Sequence, residues 1–298
     1  MDALTIDLSF PDLLPMPQTH QPDLTATAGP LSHRRIEGTG TPEWAWRQWM
    51  PLWQVPPTSI DELVPDGSRV VVVAPHPDDE VLGCGGLLSL LAARSRATTQ
   101  RWPSMSAMSS MTTVLVIGVT DGDASHAGST TWTPARLAAR RRQERTQGLR
   151  HLGLRAPIHG LGLPDGQVRH HEERLVDALA GQLQPHDVVI STWRHDGHPD
   201  HEAVGRACAE ASAACGATLL EMPVWTWHWS RPGDPAVPWQ RLRQLPLTGR
   251  ALEDKWLALS EHRSQLTPDG DRPPVLFPEA VDRLLRSAEF FFVLERSS

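Results

Sequence analysis

Val70–Ala74 is an unbroken run of four valines and an alanine, ended by Pro75. A short β-branched run bounded by polar and turn residues predicts a strand buried on both faces, as in a parallel sheet. The apolar stretch 87–93 predicts the body of a helix behind it. The alternation then repeats down the chain. Residues 113–119 (TVLVIGV) predict a second buried strand, and Thr133-Pro134 marks the start of a helix that runs to about His151 and ends at Gly153. A short strand near 157–161 precedes a helix at about 171–183. A strand at 187–191 (DVVIS), a helix at about 202–214 and a strand at about 217–224 follow. Such repeated alternation is the signature of βαβ units, so the expected fold class is α/β with a mostly parallel sheet flanked by helices. The tail differs. Residues 241–247 read as an edge strand, 254–262 and 278–287 as helices, and 289–294 (EFFFVL) as a terminal strand, together a helical and β extension.

The first part of the chain lacks this pattern. Residues 1–40 carry scattered Pro, Thr and Gly, and Trp44, Trp46, Trp49 and Trp53 cluster just after them. The expected division is an N-terminal arm over 1–66, partly extended, and one α/β domain over 67–298. The Trp cluster is expected to pack the arm onto that domain, or else to form a lid or a partner surface. Residues 95–111, polar with small side chains and Met, read as a surface connection.

Composition narrows the partners. The net charge is −7 and the longest basic run is Arg140–Arg142, which argues against a nucleic-acid binder held by phosphate contacts. No apolar run approaches the ~20 residues of a membrane span. The first residues lack the basic and apolar segments of a secretory signal. The three cysteines, Cys84, Cys208 and Cys215, make no disulfide framework and read as buried free thiols. A reducing, cytoplasmic location is therefore expected. A homo-oligomer is compatible with all of this.

The candidate chemistry sits where strands end. His76, Asp78, Asp79 and Glu80 follow the first strand, and Gly83, Gly85 and Gly86 follow them. The carboxyl end of a strand entering a helix is where open α/β sheets bind ligands. His76 and Asp79, three apart in a tight turn, can converge on one ion. Asp78 lies between them, points elsewhere, and is free to act on a metal-bound water. His198, Asp200 and His201 follow a later strand, and one of these histidines can complete the set. Two His and one carboxylate with open positions is a catalytic Zn²⁺ pattern, in which the metal lowers the pKa of bound water toward about 7. A dinucleotide site is excluded, because the acidic side chains before the glycines would repel a pyrophosphate.

These segments resemble the LmbE-like, or PIG-L, zinc-dependent N-deacetylases. APHPDDEVLGCGG at 74–86 looks like the family signature and GHPDHEAVG at 197–205 like its second motif. The likeness extends to TDG at 120–122, RRQE at 141–144 followed by LG at 152–153, PDG at 164–166, WTWHW at 225–229 and KWLALSEHRSQ at 255–265. It implies a Rossmann-like fold and hydrolysis of an N-acetyl group on an N-acetylglucosamine-type sugar or glycoside. It implies His76, Asp79 and His201 as zinc ligands and Asp78 as the general base. His198 would stabilise the oxyanion, and Asp200 would hold His198 charged and oriented. Arg141 and Asp165 would reach sugar hydroxyls. A zinc amidohydrolase acting on a larger acyl group, or a non-catalytic sugar-binding protein, are the rival readings.

Several other residues carry plainer expectations. Glu80 would favour the helix N-terminus. His195 and Asp196 would form a turn or face substrate, and His228 would pack between tryptophans or line the cleft beside a sugar ring. His126, His170 and His171 would be solvated, and Lys255 and His262 structural.

Overall fold

The computed structural model describes residues 34–101 and 112–293. Three short helices, α1 (Glu43–Gln48), α2 (Met50–Trp53) and α3 (Ile60–Leu63), precede β1 (Arg69–Ala74). Then come α4 (Asp79–Arg101), β2 (Thr113–Gly118), α5 (Pro134–His151), β3 (Ile158–Gly160), α6 (Glu172–Ala180), β4 (Val188–Thr192), α7 (Pro199–Cys215) and β5 (Thr218–Met222). Finally α8 (Thr226–Trp229), β6 (Leu242–Pro246), α9 (Gly249–Ser260), α10 (Arg263–Leu266), α11 (Pro278–Leu284) and β7 (Ala288–Val293) complete the order.

The strands form one seven-stranded sheet in the order β3-β2-β1-β4-β5-β7-β6. The first five are parallel, and β7 runs antiparallel to both β5 and β6. The valine run of β1 is apolar throughout because both its faces are covered. Val70 and Val72 pack with Leu87, Leu88 and Leu91 of α4 and with Ala258 and Leu259 of α9. Val71 and Val73 face the opposite layer, with Leu175 and Leu179 of α6 and Ala203, Val204 and Ala207 of α7. The expected mostly parallel α/β fold is therefore present. Among the described residues, no helix is long and apolar enough to cross a membrane.

Local chemistry sets the helix boundaries. Thr133 caps α5 by accepting from Arg136 N at 3.3 Å, with Pro134 in the first turn. The glycines after Glu80 do not end α4. The helix breaks at Cys84, with φ −141°, and resumes. Gly86 N and Leu87 N, freed by the break, donate to the Glu289 carboxylate at 2.7 and 2.8 Å. The same carboxylate accepts from the buried Lys255 Nζ at 2.7 Å, so an ion pair from the C-terminal extension caps the second half of α4.

Helix α7 begins at Pro199, earlier than the pattern indicated, because Asp200 and His201 make up its first turn. It approaches the end of β4 closely at Gly205, where a Cβ would lie 2.6 Å from Thr192 O. Likewise α4 continues to Arg101, so the expected connection is helical as far as that residue, and 102–111 lie outside the described residues. Of the arm, residues 1–33 lie outside the described residues. The rest holds three short helices joined by non-helical stretches. Trp46 is fully buried against Trp227 and Phe290, donating Nε1 to Trp227 O at 3.0 Å. Residues 56–58 run along β6, with Gln244 N donating to Pro56 O and Thr58 N donating to Gln244 O. This covers an edge that would otherwise expose unpaired backbone groups.

Trp46→Ala removes the largest buried contact of the arm. It is expected to lower the unfolding free energy by about 3–5 kcal/mol in equilibrium denaturation; a change below about 1 kcal/mol would show that the arm adds no core.

Candidate active site

Strands β1 and β4 are neighbours, with Val70–Val73 in register with Val188–Ser191. The chain turns outward in opposite directions from this pair, toward β2 and β3 on one side and β5 on the other. That makes the gap between their carboxyl ends the topological switch point, where a crevice forms. The turn after β1 delivers His76, Asp78 and Asp79, and the loop and helix start after β4 deliver His198, Asp200 and His201.

His76, Asp79 and His201 converge. One ligand atom from each lies within 4.8 Å of the others. His76 Nδ1 is 3.1 Å and His201 Nε2 is 3.3 Å from Asp79 Oδ2. His201 Nε2 is buried and has no hydrogen-bond partner. Its other ring nitrogen, Nδ1, is held by Asp196 Oδ2 at 2.8 Å. A buried imidazole with one nitrogen fixed by a carboxylate and the other turned to the remaining candidate donors is the arrangement of a metal ligand.

Electrostatics point the same way. Burial disfavours a charged His201, but Asp79 and Asp196 outweigh it and raise its pKa to about 9. Burial also opposes charge on His76, yet Asp165, Asp200 and Asp79 hold its pKa well above the ordinary range. Burial would raise Asp79, but His201 and His76 keep it well below the usual carboxylate range. The carboxylates demand positive charge here, and protons on the imidazoles supply it. A divalent cation answers the same demand and would displace those protons. Two imidazoles and a carboxylate are a fitting donor set for zinc.

Asp78 lines the same cavity and meets Arg141. Arg141 Nη2 donates to Asp78 Oδ2 at 2.9 Å and Nη1 donates to Gly122 O at 2.8 Å. Burial raises the Asp78 pKa, Arg141 opposes, Asp79 adds to the rise, and the result is about 7. Four residues along α5, Arg145 Nε sits 3.2 Å from Glu80 Oε1. Glu80 lies in the first turn of α4, as expected, and is fully buried and paired with that guanidinium.

Other expected roles look different in place. The Asp200 carboxylate accepts from Gly166 N and Val168 N at 2.7 and 3.1 Å and lies 3.5 Å from His76 Nε2. Its contact with His198 is through the backbone, Asp200 N donating to His198 Nδ1 at 3.2 Å. The expected imidazolium at His198 is not what the surroundings favour. Burial, then His201 and His76, lower its pKa to about 3, outweighing Asp200. Asp165 reaches inward: its carboxylate lies 3.2 Å from His76 Nε2 and accepts from Ala124 N at 2.7 Å. Burial raises its pKa, but His76 and Ala124 bring it down to about 2. The expected sugar contacts of Arg141 and Asp165 thus come from side chains already engaged with Asp78 and His76.

Asp196, which the sequence offers as turn-forming or substrate-facing, instead supports His201. It is fully buried and also accepts from Val224 N, Trp225 N, Thr226 N and Thr226 Oγ1 at 2.6–2.9 Å. An acid five residues before a candidate ligand was the available signal. His195 is exposed. His228 packs between Glu37 O and Arg283, as expected of a structural histidine. His126 is half-buried beside Trp132, not solvated, while His262 is fully buried. The cavity over the cluster holds about 320 Å³ and is walled in addition by Ile36, Leu82, Trp225 and Leu276. No signal in the sequence linked Ile36 to the site.

Residues 104–212 match the family model PIG-L, GlcNAc-PI de-N-acetylase. That span holds Arg141, Asp165 and the 197–201 cluster, and His76–Asp79 precede it. The probable N-acetyl-α-D-glucosaminyl L-malate deacetylase 2 of Bacillus subtilis is 26% identical over 48% of this chain and 60% of its own length. The diacetylchitobiose deacetylase of Thermococcus kodakarensis is 26% identical over 53% of this chain and 54% of its own length. The chain thus spans little more than half of the curated relatives it matches. The structure of N,N'-diacetylchitobiose deacetylase from Pyrococcus horikoshii superposes with a TM-score of 0.52 at 22% identity, over 76% of this chain and 84% of that one. This last likeness concerns the fold.

Asp196→Asn keeps the shape but weakens the hold on His201. Metal affinity, read by competition with a chromophoric chelator, is expected to fall about 10–100-fold; an unchanged affinity would remove Asp196 from the site.

Proposed function

This chain carries a PIG-L-family domain, and from that premise we propose that it is a zinc-dependent hydrolase removing the N-acetyl group from an N-acetylglucosamine-type sugar or glycoside. The observation that carries this reading is the pairing of two features in one crevice: a buried two-His, one-carboxylate cluster, and a second buried carboxylate that lines the same cavity and is held by Arg141. The relatives' deacetylase activities on N-acetylated sugars supply the substrate class.

His76, Asp79 and His201 would hold the metal, with Asp196 fixing His201, and Asp165 and Asp200 fixing His76. When bound there, zinc supplies an activated water and polarises the acyl carbonyl. Asp78 accepts the proton of the attacking water. A base serves best with a pKa near the working pH, and burial tuned by Arg141 puts Asp78 there. Arg141 also fixes the Asp78 carboxylate in place. His198, neutral and at the cleft wall, can donate a ring N–H from Nε2 to the developing oxyanion, since its Nδ1 accepts from Asp200 N. The proton gathered by Asp78 is then available to the leaving amine. A cavity of about 320 Å³ favours a small acyl group over a long one. Three unpaired thiols support a cytoplasmic location.

Asp78→Asn is expected to keep full metal content while turnover drops about 10²–10⁴-fold; wild-type turnover would remove Asp78 as base. The pH profile gives a second check. Asp78 must be ionised, so activity falls as pH drops through its pKa. Arg141 lowers that pKa, so Arg141→Met should move the acid limb of kcat/KM to higher pH; a limb left in place would separate Arg141 from the base.

A further inference from the structure

Residues 34–41 lie beside the mouth of the cleft, and Ile36 walls the same cavity as His76, Asp78, His198 and His201. The segment is fixed along its length. Arg34, its side chain 9% exposed, donates Nη1 to Glu202 Oε1 at 2.6 Å and lies over the Trp229 ring at 5.7 Å. Glu202 follows His201, and its Oε1 also accepts from Gly197 N at 3.1 Å. Further on, His228 Nε2 contacts Glu37 O at 3.2 Å, and Thr41 N donates to His228 O at 2.8 Å. Arg283 Nη1 donates to both Thr39 O and Thr41 O, at 3.0 and 2.8 Å. At Gly40, with φ +64°, a Cβ would lie 2.6 Å from the His228 ring, so glycine lets the strap lie flat on α8. This is a built wall, tied to the same loop that carries the candidate ligands.

The wall is apolar where the cluster is polar. Ile36, Leu82, Trp225 and Leu276 supply carbon surface around the charged groups. A pyranose ring has polar edges and C–H faces, and the C–H faces pack well on aromatic and aliphatic side chains. The cavity, about 320 Å³, is at the lower end of the roughly 300–1,000 Å³ of ligand pockets.

We propose that residues 34–41 restrict the site to a monosaccharide-sized N-acyl amine, with Ile36 as the specificity-determining residue. One ring fits between the charged cluster and Ile36, and a second ring linked beyond it meets the strap. This rests on the deacetylase reading for its substrate and on the geometry of the wall for its effect.

The test uses the zinc-loaded full chain, with Ile36→Ala to open the wall and Ile36→Trp to thicken it. Amine release is measured on N-acetylglucosamine and on its β-1,4-linked dimer. The wild type should favour the monomer, and Ile36→Ala should reduce that preference in kcat/KM about tenfold. Ile36→Trp should slow even the monomer. In parallel, the rate at which dipicolinate strips bound zinc should rise in Ile36→Ala and fall in Ile36→Trp, which a merely structural residue would not produce. A dimer used by the wild type as well as the monomer, or an unchanged preference in Ile36→Ala, overturns the proposal. If the wild type turns over neither sugar, the deacetylase reading fails, and the zinc-release rates alone judge the wall: opposite shifts in the two variants uphold it, and equal rates overturn it.

Discussion

Everything at this site depends on the parallel pairing of β1 with β4. Hydrogen bonds between these strands fix Val70–Val73 against Val188–Ser191, and with them the relative height of two distant turns. One turn alone brings an imidazole and a carboxylate. The other alone brings two imidazoles and an aspartate. Only when the strand ends are level does His201 Nε2 come within 3.3 Å of Asp79. The core on both faces of the sheet holds this register, because a one-residue slip would exchange the valines between two differently packed layers.

The second constraint is charge. Asp78, Asp79, Glu80, Asp196 and Asp200 are all buried within a few residues of the two strand ends. Such a concentration is tolerable only if each charge is partnered. Helix α5 answers with Arg141 on Asp78 and Arg145 on Glu80. Backbone N–H groups answer for Asp196 and Asp200. Asp79 is left with the imidazoles and whatever cation they share. Different partners thus give adjacent carboxylates different surroundings: imidazoles hold the Asp79 pKa well below the usual range, while burial raises that of Asp78 against Arg141.

Much of this was legible in the sequence because strands and site motifs are local. The valine run, the Thr133-Pro134 cap and the two strand-end clusters each announce themselves within a few residues. Long-range partners were not legible in that way. Arg141 lines the cavity and also donates to Asp78, and nothing in a helix of arginines tells which one faces a carboxylate 63 positions earlier. Asp196 reads locally as turn-forming or substrate-facing, since the partners that define it are backbone groups at 224–226, which follow β5. The α4 break at Cys84 needed Glu289, from the far end of the chain, to cap it. The arm showed its tryptophans but not its helices, whose order comes from packing onto Trp227 and Phe290 rather than from any periodicity of their own.

The central claim is that the metal cluster and Asp78 together hydrolyse an N-acetyl group. The most direct measurement is release of free amine and acetate from N-acetylglucosamine and its simple glycosides by the purified protein, as zinc-loaded, chelator-stripped and zinc-restored samples. The account predicts equimolar amine and acetate with zinc, none after stripping, and recovery on reloading. A protein that binds one zinc per chain and releases no amine from any of these sugars would contradict it.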